Sequence, residues 1–435
     1  MGHQRHSSSA VVILGALFFL FGFVTWLNGT LIPYLKIACE LTTGQALWIP
    51  VAFYLSYFVL ALPSAYILGR TGLKRGMTIG LLVMALGALL FLPAAGARSY
   101  PMFLTGLFIM GTGLALLQTA INPYVTVVGP IESAAARISI MGICNKVAGV
   151  LAPIILSSVI LADADAMTAD LAAMDAASRS LRLGELASRV ELPYILMAIT
   201  LVALGLLVRF SPLPELQVEK EDPPGHGSVL SHPRLVFGVF ALFLYVGVEV
   251  MAGDTIGLYG ESLGVPLSNA KYFTSLTLIA MVFGYLLGNF SIPRFISQSG
   301  ALAISAVVGV AFTGVAATIP PSITVSIPFV DLVRMETITL TVPLTVVFIA
   351  LLGLANAMVW PAIWPLAIGG LGRHTRMGSA LLIMAIVGGA VLPKVYGGLA
   401  ESTLGYQQAY WMMAPCYLFM LWYAFKGSRM VRWSA

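Results

Sequence analysis

"SIMGICNKVAGVLAP" (139–153) and "SALLIMAIVGGAVLP" (379–393) both begin with Ser, carry Ile at the fifth place, Val at the ninth and Gly at the eleventh, and close on Pro at the fifteenth. Their offset of 240 residues also superposes Gly113-Leu114-Ala115 on Gly353-Leu354-Ala355. Two separate segments aligned at a single offset identify an internal parallel repeat. In an apolar chain such a repeat means two equivalent halves, with a ligand site near the bilayer midplane between them.

The surroundings of the repeat are apolar enough for that reading. Hydrophobic residues make up 59% of the chain and charged residues 9%, against roughly 45–50% and 25% in a soluble domain. Apolar windows lie near 11–35, 46–69, 76–95, 101–128, 138–161, 193–210, 235–258, 270–292, 300–319, 341–369, 378–399 and 407–425. Each is close to the roughly 20 residues that a spanning helix needs. The chain therefore reads as an all-α membrane protein with twelve transmembrane helices, six to each half. The first window is too long for the apolar core of a signal peptide and has no small-residue cleavage site, so it is expected to stay as helix 1.

The Pro- and charge-rich stretch "PLPELQVEKEDPPGHGSVLSHPR" (212–234) divides the chain. An N-terminal half over 1–210, a linker over 211–234 and a C-terminal half over 235–435 follow. Assigning the connections alternately to two sides puts 14 Lys and Arg on the side of both termini and 7 on the other. By the positive-inside rule both termini are cytoplasmic. The net charge of +5 reflects this topology and gives no reason to expect nucleic acid. Residues 162–191 have the composition of a surface helix, and 321–340, rich in Thr, Val and Ile, read as an extended external excursion. Cys39, Cys144 and Cys416 have no metal-ligand spacing.

Polar groups inside the spans carry the functional signal. In "GLALLQTAINPYVTVVGPIES" (113–133) the amides of Gln118 and Asn122 lie one helical turn apart, and Pro123 frees a backbone carbonyl beside them. Asn28 lies at a similar depth in helix 1. Four ionisable side chains also fall within spans: Lys146, Glu249, Asp254 and Lys394. Each costs about 2.5–3.5 kcal/mol at a helix centre even on lower scales, so each needs a partner or a function. Glu249, midway along helix 7, suits cation coupling or an ion pair with a lysine. Asp254 suits coupling or a water-filled mouth, and Lys394 is far enough out to snorkel. The chain has no G-x-x-x-x-G-K-[ST] for nucleotide, no Cys/His metal set and no loop that would house a catalytic domain. ATP-driven transport and enzymatic activity are therefore not expected, and a non-transporting receptor is the rival from another class.

"FLFGFVTWLNGTLIPYLK" (19–36), "FYLSYFVLALPSAYILGRTGLKRG" (53–76), "LLQTAINPYVTVVGPIESAAARISIMGICNKVAG" (116–149) and "MGSALLIMAIVGGAVLP" (377–393) resemble the glucose/galactose transporter branch of the fucose:proton symporter family, within the major facilitator superfamily. The loop "AYILGRTGLKR" (65–75) is similar to the superfamily signature after helix 2, with Ala65 and Gly69 in place of its Gly and Asp. The resemblance implies a major facilitator fold and an importer of glucose, galactose or a related hexose, with N-acetylglucosamine as the alternative. It implies a functional monomer in the lipid of a bacterial inner membrane, working by alternating access without a cofactor. Fucose permeases carry acids where this chain has Gly29 and Gln118, so their proton mechanism does not transfer by position. The coupling ion is then expected at Glu249, with oxygens from Asn28 or Thr25. Sodium is favoured, as in glucose/galactose members, over a proton. For a sugar ligand, Gln118, Asn122, Asn28 and Asn356 would bind hydroxyls, Lys146 would donate to one, and Trp26, Tyr54, Tyr57, Trp360 and Trp364 would offer flat faces to a pyranose.

Overall fold

Apolar segments of this length satisfy their backbone groups within the membrane only as helices or closed barrels, and this chain forms helices. The computed structural model describes residues 2–127, 134–161, 163–211, 213, 228–292, 294–331 and 335–433. Eleven helices among them are long and apolar enough to span: α1 Val11–Ala38, α2 Thr43–Thr71, α3 Leu73–Gly96, α4 Tyr100–Asn122, α5 Ile140–Ile160, α6 Ala176–Phe210, α7 Pro233–Asp254, α8 Leu267–Ser291, α9 Gln298–Thr318, α10 Leu344–Ile368 and α11 Met377–Ala400. The twelfth window is split into a short helix Gly405–Ala409, a 3-10 turn Tyr410–Met412 and α12, Met413–Phe425, of 13 residues.

The contacts repeat with a shift of six helices. α1 packs on α5 as α7 packs on α11, α3 on α4 as α9 on α10, and α2 on α4 as α8 on α10. The seam between the first six and the last six is formed by α5 against α8 and by α2 against α11, which are themselves equivalent pairs. Two glycines permit the tightest crossings. A Cβ on Gly22 of α1 would lie 1.9 Å from the Asn145 carbonyl oxygen of α5, and one on Gly388 of α11 would lie 1.8 Å from that of Phe243 in α7.

Three spans are interrupted. α1 loses helical form at Trp26-Leu27, α7 stops at Asp254 and resumes as Ile256–Ser262, and α10 breaks between Asn356 and Val359. On the face opposite the α6–α7 connection the two sets of six helices are latched together. Lys36 pairs with Glu261 at 2.8 Å, Glu401 accepts from the Gly44 amide at 2.7 Å, the Thr43 and Tyr406 hydroxyls are 2.9 Å apart, and Lys394 donates to the Gly44 carbonyl.

The described part of 162–191 holds two helices, Ala164–Ala173 and Ala176–Ser188, in place of the single surface helix expected; the second is the opening part of α6. Asp175 caps it by accepting from the Ser178 amide at 3.2 Å, and Arg189 hydrogen-bonds both carboxyl oxygens of Asp163. That guanidinium holds the Asp163 carboxyl below the usual carboxylate range. Within 321–340 the described residues are largely extended, as their β-branched side chains favour. Thr324–Asp331 pairs antiparallel with Glu336–Pro343, from Thr324 opposite Pro343 to Asp331 opposite Glu336, and Phe329 packs on Tyr272 at 5.0 Å. The linker expected at 211–234 lies mostly outside the described residues.

Gly22→Leu is expected to force α1 off α5 and to destabilise the protein by about 3 kcal/mol, the upper range for overpacking. Thermal unfolding in detergent measures it. Gly398→Ala, with nothing within 4 Å of the added carbon, is the control that leaves the midpoint unchanged.

Candidate substrate and cation site

The centre of the seam is ionic. Lys146 of α5 and Glu249 of α7 are 7% and 8% exposed, too dry for either charge to stand alone, and Lys146 Nζ donates to Glu249 Oε1 at 2.8 Å. The same ammonium lies 4.8 Å from the Trp26 ring centroid, a cation–π contact that adds to the neutralisation. Tyr245, Tyr285 and Tyr417 lie within reach of the Glu249 charge. Tyr417 donates to Asn356 Oδ1 at 2.8 Å, while Asn356 Nδ2 has no hydrogen-bond partner.

The first six helices contribute a second polar run. Gln118 Nε2 donates to the Tyr57 hydroxyl at 3.0 Å, Tyr57 stacks on Tyr54 at 6.3 Å, and Tyr54 faces both Asn28 and Asp254. Asn28 is 1% exposed, and neither end of its amide makes a hydrogen bond. Asn122, one turn beyond Gln118, is half-buried. Together these residues offer amide donors and acceptors and aromatic faces on one side of the seam, and an ion pair that crosses it.

Several residues sit differently from what the sequence suggests. Trp26 is enclosed, with Gly149 of α5 and Gly253 of α7 against its ring, so its faces are covered by protein in this conformation. Asp254 is fully buried and lines no open mouth. Lys394 belongs to the far-face latch, over Trp48 at 4.9 Å. Trp360 and Trp364 are stacked at 5.4 Å and half-buried, with Trp360 tilted against Tyr245 at 6.4 Å. Glu249 already has an ammonium partner, so a sodium ion there would have to displace Lys146. The tyrosines 245, 285 and 417 and Thr274 escaped sequence reading, because a hydroxyl in an apolar run carries no spacing signal.

Removing one member of a buried ion pair leaves the other charge stranded, typically at a cost of about 3–5 kcal/mol, whereas replacing both by apolar residues is often nearly neutral. Lys146→Met is therefore expected to lower the unfolding midpoint sharply, and Lys146→Met with Glu249→Met to restore most of it. A double-mutant cycle of thermal unfolding reads the coupling, and additive losses would show the pair to be incidental.

The whole chain has relatives. The Major Facilitator Superfamily profile matches residues 14–367. A glucose/galactose transporter of Brucella abortus (biovar 1, strain 9-941) is 33% identical over 434 residues, covering 98% of this chain and 96% of the relative. The L-fucose-proton symporter of Escherichia coli (strain K12) is 28% identical over 426 residues, covering 96% and 92%. The crystal structure of the transporter FucP in its outward conformation superposes with a TM-score of 0.72 at 27% identity, covering 95% of this chain and 97% of that one. These relatives are transporters and not enzymes. With its sixfold-shifted packing, its midplane seam and these matches, the chain belongs to the Major Facilitator Superfamily.

Proposed function

We propose that this chain is a secondary active importer of glucose, galactose or a related hexose, working by cation-coupled alternating access in a bacterial inner membrane. It acts as a monomer with both termini in the cytoplasm. The observation that carries this reading is the seam itself. Lys146 and Glu249 meet across it at 2.8 Å, Tyr417 beside Glu249 donates to the Asn356 amide, and the Gln118 amide donates to Tyr57. Amides act as donor and acceptor together, which suits a ligand whose hydroxyls do the same. The glucose/galactose transporter among the relatives supports this substrate class. An acetamido sugar such as N-acetylglucosamine is the second reading, since the same amides serve its hydroxyls.

With the termini inside, the latch at Lys36–Glu261 and Gly44–Glu401 lies outside, and the conformation described here is closed to the exterior. Sodium is the proposed coupling ion, as a hard cation that takes oxygen ligands such as those buried along α1 and α7. The L-fucose-proton symporters among the relatives favour a proton instead.

Labelled glucose in proteoliposomes tests the reading. Accumulation above equilibrium under an imposed cation gradient, competed by galactose, is expected. Binding without accumulation would leave a receptor in its place. Gln118→Ala and Asn356→Ala are each expected to weaken sugar affinity by roughly 1–3 kcal/mol, the cost of an unpaired polar partner. Unchanged affinity in both would make these amides helix-to-helix glue.

A further inference from the structure

Among the four ionisable side chains predicted within spans, Lys146 and Glu249 satisfy each other and Lys394 reaches the Gly44 carbonyl, but Asp254 has no charged partner. It is 0% exposed, it has no ion pair and no side-chain hydrogen bond among the described residues, and the Gly29 backbone amide faces its carboxyl. An anion in that state is not tolerated in a dry interior. Asp254 must therefore hold a cation or a proton when the seam is closed around it.

We propose that the coupling cation sits at Asp254, between the breaks of α1 and α7, with the Asn28 amide as its second side-chain contact, and that Lys146–Glu249 is the neighbouring lock. This deepens the symport reading above and rests on it. Three observations place the site. Asp254 ends the first piece of α7, where the helix dipole leaves its negative end and favours a positive charge. Asn28 opens the second piece of α1, also buried, with the Tyr54 hydroxyl facing its amide. Between them stands Gly29, on which a Cβ would lie 3.3 Å from Asp254 Oδ1 and 2.6 Å from Thr274 Oγ1. The missing side chain is what lets a carboxyl from α7 occupy the space beside α1.

The other groups facing the site are Tyr54 from α2, Thr274 from α8, whose hydroxyl donates to the Gly253 carbonyl at 2.8 Å, and Glu249 on α7 itself. No Lys or Arg bonds to Asp254. Because Asn28 and Asp254 belong to different sides of the seam, a cation bound there holds the two sides together at this level. In its absence the Asp254 charge disfavours closure. Unwound segments of broken helices near the midplane supply such sites in transporters generally.

Proteoliposomes carrying wild type or Asp254→Asn, tested with a sodium gradient at constant pH and with a proton gradient without sodium, distinguish the two cations and the two readings. Asp254→Asn is expected to lose accumulation at least about tenfold in whichever gradient drives the wild type, while sugar exchange with no gradient survives. Undiminished accumulation overturns the site but leaves the transporter reading intact. Absence of exchange in the wild type overturns both. A variant that keeps the carboxylate, Asn28→Ala, is expected to raise the half-saturating cation concentration about tenfold at saturating sugar, so the proposal remains testable if Asp254→Asn does not fold. An unchanged cation dependence in Asn28→Ala overturns it.

Discussion

An ammonium and a carboxylate 2.8 Å apart in the interior of a membrane protein cannot be separated without a replacement for each. Lys146 and Glu249 stand on opposite sides of the seam, so the seam opens only when something else takes up their charge. This makes the pair a poor source of net stability but a strong determinant of register. Its setting follows from that role. Trp26 lies over the ammonium, and tyrosines from α7, α8 and α12 surround the carboxylate.

The closures on the seam have different chemistry. The far-face latch is partly exposed, with Lys36 and Glu261 side chains 23% and 33% accessible, and such pairs contribute about 0–1 kcal/mol each. They can break and re-form at little cost. The core pair and the cation site proposed at Asp254 are dry, so a ligand that satisfied them would shift the balance between conformations by an appreciable amount. Coupled transport needs this contrast, with weak contacts at the rim and strongly conditional ones at the centre. α1 and α7, the equivalent first helices of the two halves, break beside Asn28 and Asp254, the residues of the proposed cation site, and Tyr54 faces both.

Much of this was legible in the sequence. The offset of 240 residues announced the repeat, and the packing obeys it helix by helix. Lys146, Glu249 and Asp254 each stood out as charges in apolar runs. Which of them pair did not follow, because Lys146 and Glu249 are 103 residues apart and only the fold brings them together. Asp254 looked like the less important acid because it lies nearer a helix end. The break at Thr255 and the space left by Gly29 are what motivate the site proposed there, and neither has a signature in a single chain. Trp26 read as an open aromatic face, whereas the glycines at 149 and 253 let two helices close over it. The twelfth window met the hydropathy criterion but is divided by a 3-10 turn at Tyr410–Met412, a local departure that composition does not record.

If the cation and the sugar both act by closing the same seam, each must raise the affinity for the other by the same factor. Isothermal titration of glucose into the purified protein, at saturating cation and with the cation replaced by choline at constant pH and ionic strength, measures that factor from one side. Titration of the cation with and without saturating glucose measures it from the other. The mechanism predicts equal factors of about 5–150-fold, typical of a coupling free energy of 1–3 kcal/mol. A glucose affinity that is the same with and without the cation, at every pH at which the protein stays folded, would contradict it.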